Sequence, residues 1–193
     1  MTDRELIQGI IQRDNAVFKE VVNLYENHVI RTCYSLVHND QDARDLAQEV
    51  FIEILDSARL FRGDAKLSCW IYRIAINKSL NHLKLQKRRQ FLTRIGLRSA
   101  DPEEDHTKMP ADNGQLNADA VMFEKEIQTE LHIAIDRLPI NQRIAFTMNK
   151  YEKLSYQEIA EVMNVTLTSV ESLIHRAKMN LQKKLEYFYR DNI

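Results

Sequence analysis

Between Ser155 and Leu185 the chain reads SYQEIAEVMNVTLTSVESLIHRAKMNLQKKL, a pattern that leaves few local folds open. Ser155 followed three residues later by Glu158 is a reciprocal capping box and marks a helix start. Ile159, Ala160 and Met163 then supply a short apolar face at helical spacing. Asn164 tolerates the left-handed conformation that ends a helix, so a stop is expected there. Thr166 can cap a second helix, in which Val170, Ile174, Ala177, Leu181 and Leu185 recur every three or four residues. Two helices at a steep angle across a tight turn form a helix-turn-helix.

The polar face of the second helix carries chemistry. Thr168, Ser169, Glu171, Ser172 and His175 occupy its first turns, where a recognition helix meets base edges. Arg176, Lys178, Lys183 and Lys184 follow, placed for phosphates. A plain helical hairpin with a solvated basic face has the same periodicity, so the rest of the chain must decide.

A chain of 193 residues makes one or two domains, and four Gly and three Pro leave a helical pattern almost unbroken. The fold expected is all-α: two small helical domains, 1–98 and 119–193, joined by a flexible acidic linker over 99–118. That linker carries Asp, Glu, Pro, Gly, Asn and Thr with too little apolar surface to offset its ordering entropy. The net charge of −1 hides a segregation. Lys84, Lys87, Arg88, Arg89, Arg94 and Arg98 form an acid-free basic run, directly followed by Asp101, Glu103, Glu104, Asp105, Asp112 and Asp119. Such asymmetry points to a nucleic-acid surface beside a connector. Cys33 and Cys69 lack metal-ligand spacing and are too few for a disulfide framework, so reduced core thiols are expected. No charged-then-apolar leader opens the sequence and no run reaches membrane-spanning length, which predicts a cytoplasmic protein without membrane insertion. There is no nucleotide-binding Gly loop, and neither cofactor nor metal nor catalytic residue is expected.

In chain order, Thr2–Arg13 reads as an amphipathic helix, and Asn15 can cap a second that runs on through Leu36 and Val37. His28 and His38 are read as structural or surface residues rather than ligands. Over Asp40–Leu60 the apolar stripe is Ala43, Leu46, Ala47, Val50, Phe51, Ile54 and Leu55. Asp42, Asp45, Glu49, Glu53 and Asp56 climb another face. Such a ladder is either a solvated face or a dock for a basic partner. A metal-dependent hydrolase built on Asp42, Asp45 and Glu49 lacks the Glu-x-x-His pairs of helical di-metal sites. Phe61–Asp64 interrupts the pattern in a turn. The next helix sets Trp70, the single Trp, beside Lys66, Arg73, Asn77, Lys78, Asn81, His82 and Lys84. Aromatics beside cations suit single-stranded nucleic acid, although a lone Trp is also an ordinary core residue.

Three segments in this order resemble the extracytoplasmic-function (ECF) sigma factors of bacterial transcription: DARDLAQEVFIEI at Asp42–Ile54, FRGDAKLSCWIYRIAINKSLNHLK at Phe61–Lys84, and LPINQRIAF at Leu138–Phe146 before the helix-turn-helix. The resemblance implies that Asp42, Asp45, Glu49 and Glu53 dock on core RNA polymerase. It implies that Lys66, Ser68, Trp70, Arg73, Asn77 and Lys84 contact the minus-ten element of promoter DNA, the Asp64–Ser68 loop holding a flipped base. The helix-turn-helix is then the reader of the minus-thirty-five element, through Thr168, Ser169, Glu171, Ser172, His175, Arg176 and Lys178. An anti-sigma factor is implied as a further partner. Two departures bear on specificity: Glu171 and Leu173 stand where the family often carries cations, and Glu prefers to accept from cytosine. Asn164 replaces a more usual Gly but does the same backbone work. A helix-turn-helix regulator that binds duplex DNA without polymerase is the competing reading.

Overall fold

A computed structural model of the chain describes residues 1–94 and 131–191, with side chains to Glu186. The expected linker over 99–118, the basic residue at 98 and the expected helix start at 119–130 lie outside the described residues. Every regular element among the described residues is helical, in two units.

The first unit holds α1 (Asp3–Ile11), α2 (Asn15–Val37), α3 (Asp40–Ser57) and α4 (Leu67–Arg94). Helix α1 starts on a capping box: Thr2 N–H donates to Glu5 at 2.7 Å and Glu5 N–H donates to Thr2 Oγ1 at 3.3 Å. It stops at Ile11, two residues before the expected end, and Arg13 then turns at φ 58°. Asp14 rather than Asn15 caps α2, its Oδ1 accepting from the N–H groups of Ala16 and Val17. The αL residue His38 closes that helix, with its N–H donating to the Tyr34 carbonyl, which gives it the structural role expected. Asn39 caps α3 through Asp42 N–H at 2.9 Å. Helix α3 ends at Ser57 and tightens into a 3-10 turn over Ala58–Leu60.

The apolar stripes of the four helices converge on Leu6, Ile10, Val21, Val29, Cys33, Val50, Ile54, Leu67, Ile71 and Ala75, all buried. Phe18 and Phe51 meet edge to face across this core, centroids 6.4 Å apart. Both cysteines are buried thiols outside any disulfide, as their spacing predicts. At the start of helix α4, Asp3 takes a hydrogen bond from Leu67 N–H at 2.8 Å. The end of the loop before α4 is thereby tied to α1.

The second unit contains a helical segment over 131–136 and then α5 (Ile140–Lys150), α6 (Tyr156–Met163) and α7 (Leu167–Asp191). Pro139 stands at the N-cap of α5, where its missing N–H costs nothing. Ala134, Ile135 and Leu138 pack with Ala177 and Leu181 of α7, and Asn180 Nδ2 donates to Gln142 Oε1 of α5 at 2.9 Å. No helix among the described residues is long and apolar enough to cross a membrane.

Candidate nucleic-acid interface

The helix-turn-helix forms as its sequence dictates. Glu158 Oε2 accepts from Ser155 N–H at 2.7 Å while Ser155 Oγ accepts from Glu158 N–H at 3.2 Å, completing the capping box. Asn164 sits at φ 54°. Around it Val165 N–H donates to the Ala160 carbonyl and Asn164 N–H to the Glu161 carbonyl, the pair of bonds that defines a Schellman stop. Thr166 caps α7 through Ser169 N–H at 3.2 Å. Val170, Ile174, Ala177 and Leu181 are buried, so the opposite face is fixed outward. Thr168, Ser169, Glu171, Ser172, His175, Arg176 and Lys178 are all exposed there. Ser169 also bonds the Thr166 hydroxyl at 2.8 Å, which draws it toward the cap and leaves the other six as the more open face.

A second site forms where α3 gives way to α4. Gly63 adopts φ 78°, a conformation Gly takes without strain, and turns the loop sharply before α4. The loop roofs a cleft of about 320 Å³ lined by Leu60, Phe61, Arg62, Asp64, Trp70 and Arg73 among others. That volume sits at the small end of ligand sites, which run from roughly 300 to 1,000 Å³. Phe61 and Trp70 are in ring contact, centroids 5.4 Å apart and tilted by 58°. Of the residues expected to meet the minus-ten strand, Trp70 and Arg73 line this cleft, whereas Lys66, Ser68, Asn77 and Lys84 do not. Asn77 and Lys84 are exposed farther along α4, on the face that Arg73 begins. Phe61, Arg62 and Leu60 are site residues the sequence reading did not single out. Phe61 had a signal, an aromatic directly before the Arg-Gly turn.

The acidic ladder of α3 is less free than its spacing suggests. Lys78 Nζ of α4 lies 3.6 Å from both Glu49 and Glu53, and His82 Nε2 lies 3.4 Å from Asp42. Asp45 accepts from Gln41 of its own helix at 3.1 Å and stays exposed. No group of three or more His, Cys, Asp or Glu among the described residues is arranged to hold a metal ion.

Two family descriptions match the two units: Sigma-70 region 2 over residues 21–89 and Sigma-70, region 4 over residues 128–181. The chain is 33% identical over 190 residues to the RNA polymerase sigma-H factor of Pseudomonas aeruginosa, covering 98% of this chain and 96% of that one. It is 30% identical to the ECF RNA polymerase sigma-E factor of Escherichia coli, covering 98% and 97%. In fold it is similar to the sigma factor RpoE of Bartonella quintana, solved in complex with the anti-sigma factor NepR. The TM-score there is 0.64 with 21% identity over 88% of this chain and 96% of that one. The protein belongs to the ECF family of RNA polymerase sigma factors.

Proposed function

We propose that this sigma factor works in the cytoplasm through three surfaces and does no bond chemistry itself. The outward carboxylates of α3 dock on core RNA polymerase. The cleft at the start of α4 captures a base of the non-template minus-ten strand, and the exposed face of α7 reads the minus-thirty-five element in duplex form. An anti-sigma factor is a further partner, an expectation supported by the complex of the RpoE relative.

The observation that carries this reading is the cleft under the Phe61–Ala65 loop. It pairs two aromatic rings with Arg73, and Asn77 follows one helical turn later. Extruding a base costs a few kcal/mol. Stacking contributes about 1–3 kcal/mol per base, the right size to hold one base outside the duplex. Arg73 can meet a phosphate or lie on a base plane, and Asn77 offers both a donor and an acceptor. The test is binding of a single-stranded non-template oligonucleotide to holoenzyme reconstituted from the full chain. Trp70→Ala should weaken it by about tenfold or more, in line with roughly 1–3 kcal/mol of lost stacking. Wild-type affinity in that variant would make Trp70 a core residue only.

A further inference from the structure

The Phe61–Lys66 loop that roofs the cleft is anchored at both of its ends. At its entry Phe61 N–H donates to the Ala58 carbonyl at 3.2 Å, and the 3-10 turn that makes this bond lies against α1. At its exit Leu67 N–H donates to Asp3 Oδ2 of α1 at 2.8 Å. Between these points a second cleft, of about 670 Å³, opens between α1 and Phe61, Arg62 and Gly63. The end anchors therefore set where the loop stands. Asp3 is the first residue of α1, just inside the Thr2–Glu5 capping box. Burial, and after it the charge of Asp3, push the Tyr25 hydroxyl of α2 above its ordinary range, so this carboxylate lies where α1, α2 and α4 meet. Leu67 is buried in one core with Leu6, Ile10 and Ile71. Trp70 closes the same first turn of α4, its N–H donating to the Lys66 carbonyl at 3.2 Å. One hydrogen bond from α1 thus reaches the turn that presents Trp70.

We propose that Asp3 is a positioning residue for strand capture: through Leu67 N–H it fixes the first turn of α4, and with it the Phe61–Trp70 pair on which a captured base stacks. The proposal rests on the reading that this cleft captures the minus-ten strand. The chemistry suits the task. The first N–H groups of a helix have no partner within it. A carboxylate there is favoured both as a charged acceptor and by the helix dipole. Because this carboxylate comes from another helix, it fixes the place of the turn as well as its shape. Binding constellations need their parts held to within about 0.5 Å, and the two rings stand in contact with centroids 5.4 Å apart. A first turn free to fray would blur that pair, and the incoming base would have to order it, at a cost in affinity. Asp3 itself does not line the cleft. Its contribution is preorganisation, which separates from the stability of the fold because Leu67, Ile71 and Ala75 still hold α4 to the core without it.

The test compares Asp3→Ala, which removes the acceptor, with Asp3→Asn, whose side-chain carbonyl can still accept from Leu67 N–H. Ala is a good helix former and leaves the Thr2–Glu5 box in place, so α1 should persist in both. Trp70 is the single Trp of the chain, so the emission of the free full chain reports on the cleft alone. Asp3→Ala should shift that emission to longer wavelength and open it to acrylamide quenching, whereas Asp3→Asn should match wild type. In reconstituted holoenzyme Asp3→Ala should bind a single-stranded minus-ten oligonucleotide about fivefold more weakly, the fold-change that loss of a typical cap corresponds to. Asp3→Asn should keep close to wild-type affinity, and both variants should bind core polymerase normally. A lower urea midpoint for Asp3→Ala, with emission and oligonucleotide affinity unchanged, would overturn the proposal and leave Asp3 a cap for stability only. Equal losses from the two variants would also overturn it, by making the charge responsible in place of the hydrogen bond. Failure of the underlying reading has its own signature, namely Trp70→Ala binding the oligonucleotide like wild type.

Discussion

Gly9 shows how little room the first unit leaves. A Cβ built there would fall 2.6–2.8 Å from three side-chain atoms of Val17 on α2. Ala normally favours a helix interior over Gly by about 1 kcal/mol, but overpacking at a stiff β-branched neighbour costs roughly 1–3 kcal/mol. The clash wins, so Gly9→Ala should lower the urea midpoint without changing its slope, and adding Val17→Ala should restore much of the loss. Cys33 gives a second residue-scale test. Burial pushes its thiol from the ordinary 9.0 up to about 11, with a Ser79 hydrogen bond opposing the shift. The unfolded thiol therefore loses its proton before the folded one does. Stability from this group is fully present below pH 9 and is lost as pH rises from about 9 to about 11. Comparing urea midpoints at pH 8 and pH 10.5, Cys33→Ala should show a smaller alkaline loss than wild type. On α7, Glu171→Ala should relax preference at one or two base pairs, with about 1–3 kcal/mol at stake for a good contact. Lys178→Ala should instead weaken all upstream sequences alike and reduce the salt dependence of binding, as a phosphate contact does. Selection from a randomised upstream library separates the two effects.

At the scale of the element, α3 and α4 must be read together. The carboxylate ladder of α3 was legible in the sequence because its spacing is local, and so were the capping box at Ser155 and the turn at Asn164. The partnership of that ladder with Lys78 and His82 was not, since nothing in local spacing tells which face of α4 meets which face of α3. The cap that Asp3 gives to Leu67 was hidden for the same reason, with 64 residues between donor and acceptor. The cleft under the loop was half legible: Trp70 and Arg73 stood out by residue type, whereas Phe61 became a site residue only when the Gly63 turn folded it onto Trp70. These pairings refine the docking prediction. Asp45→Lys with Glu49→Lys should abolish co-elution with core polymerase. The stability change should be small, because an exposed pair such as Lys78–Glu49 contributes only about 0–1 kcal/mol. A melting shift of the first unit beyond about 8 °C would exceed what 1 kcal/mol does in a domain of that size. It would mean that the ladder is chiefly structural. Normal co-elution would remove α3 from the docking surface.

For the whole molecule the central claim is that α4 opens promoter DNA as well as tethering polymerase to it. In the proposed reading α7 meets promoter DNA as duplex, as a helix-turn-helix regulator would, so strand opening is what distinguishes the two. The most direct measurement is permanganate reactivity of thymines near the start site, on linear duplex promoter, with holoenzyme carrying wild-type chain or Asn77→Ala. Asn77 is exposed and outside the core, so its loss should leave polymerase binding and upstream duplex binding unchanged. The account predicts reactive thymines with wild type, a strong loss of reactivity with Asn77→Ala, and recovery of much of the transcription when the promoter is supplied with a pre-melted bubble. Wild-type reactivity from Asn77→Ala on linear duplex would contradict it.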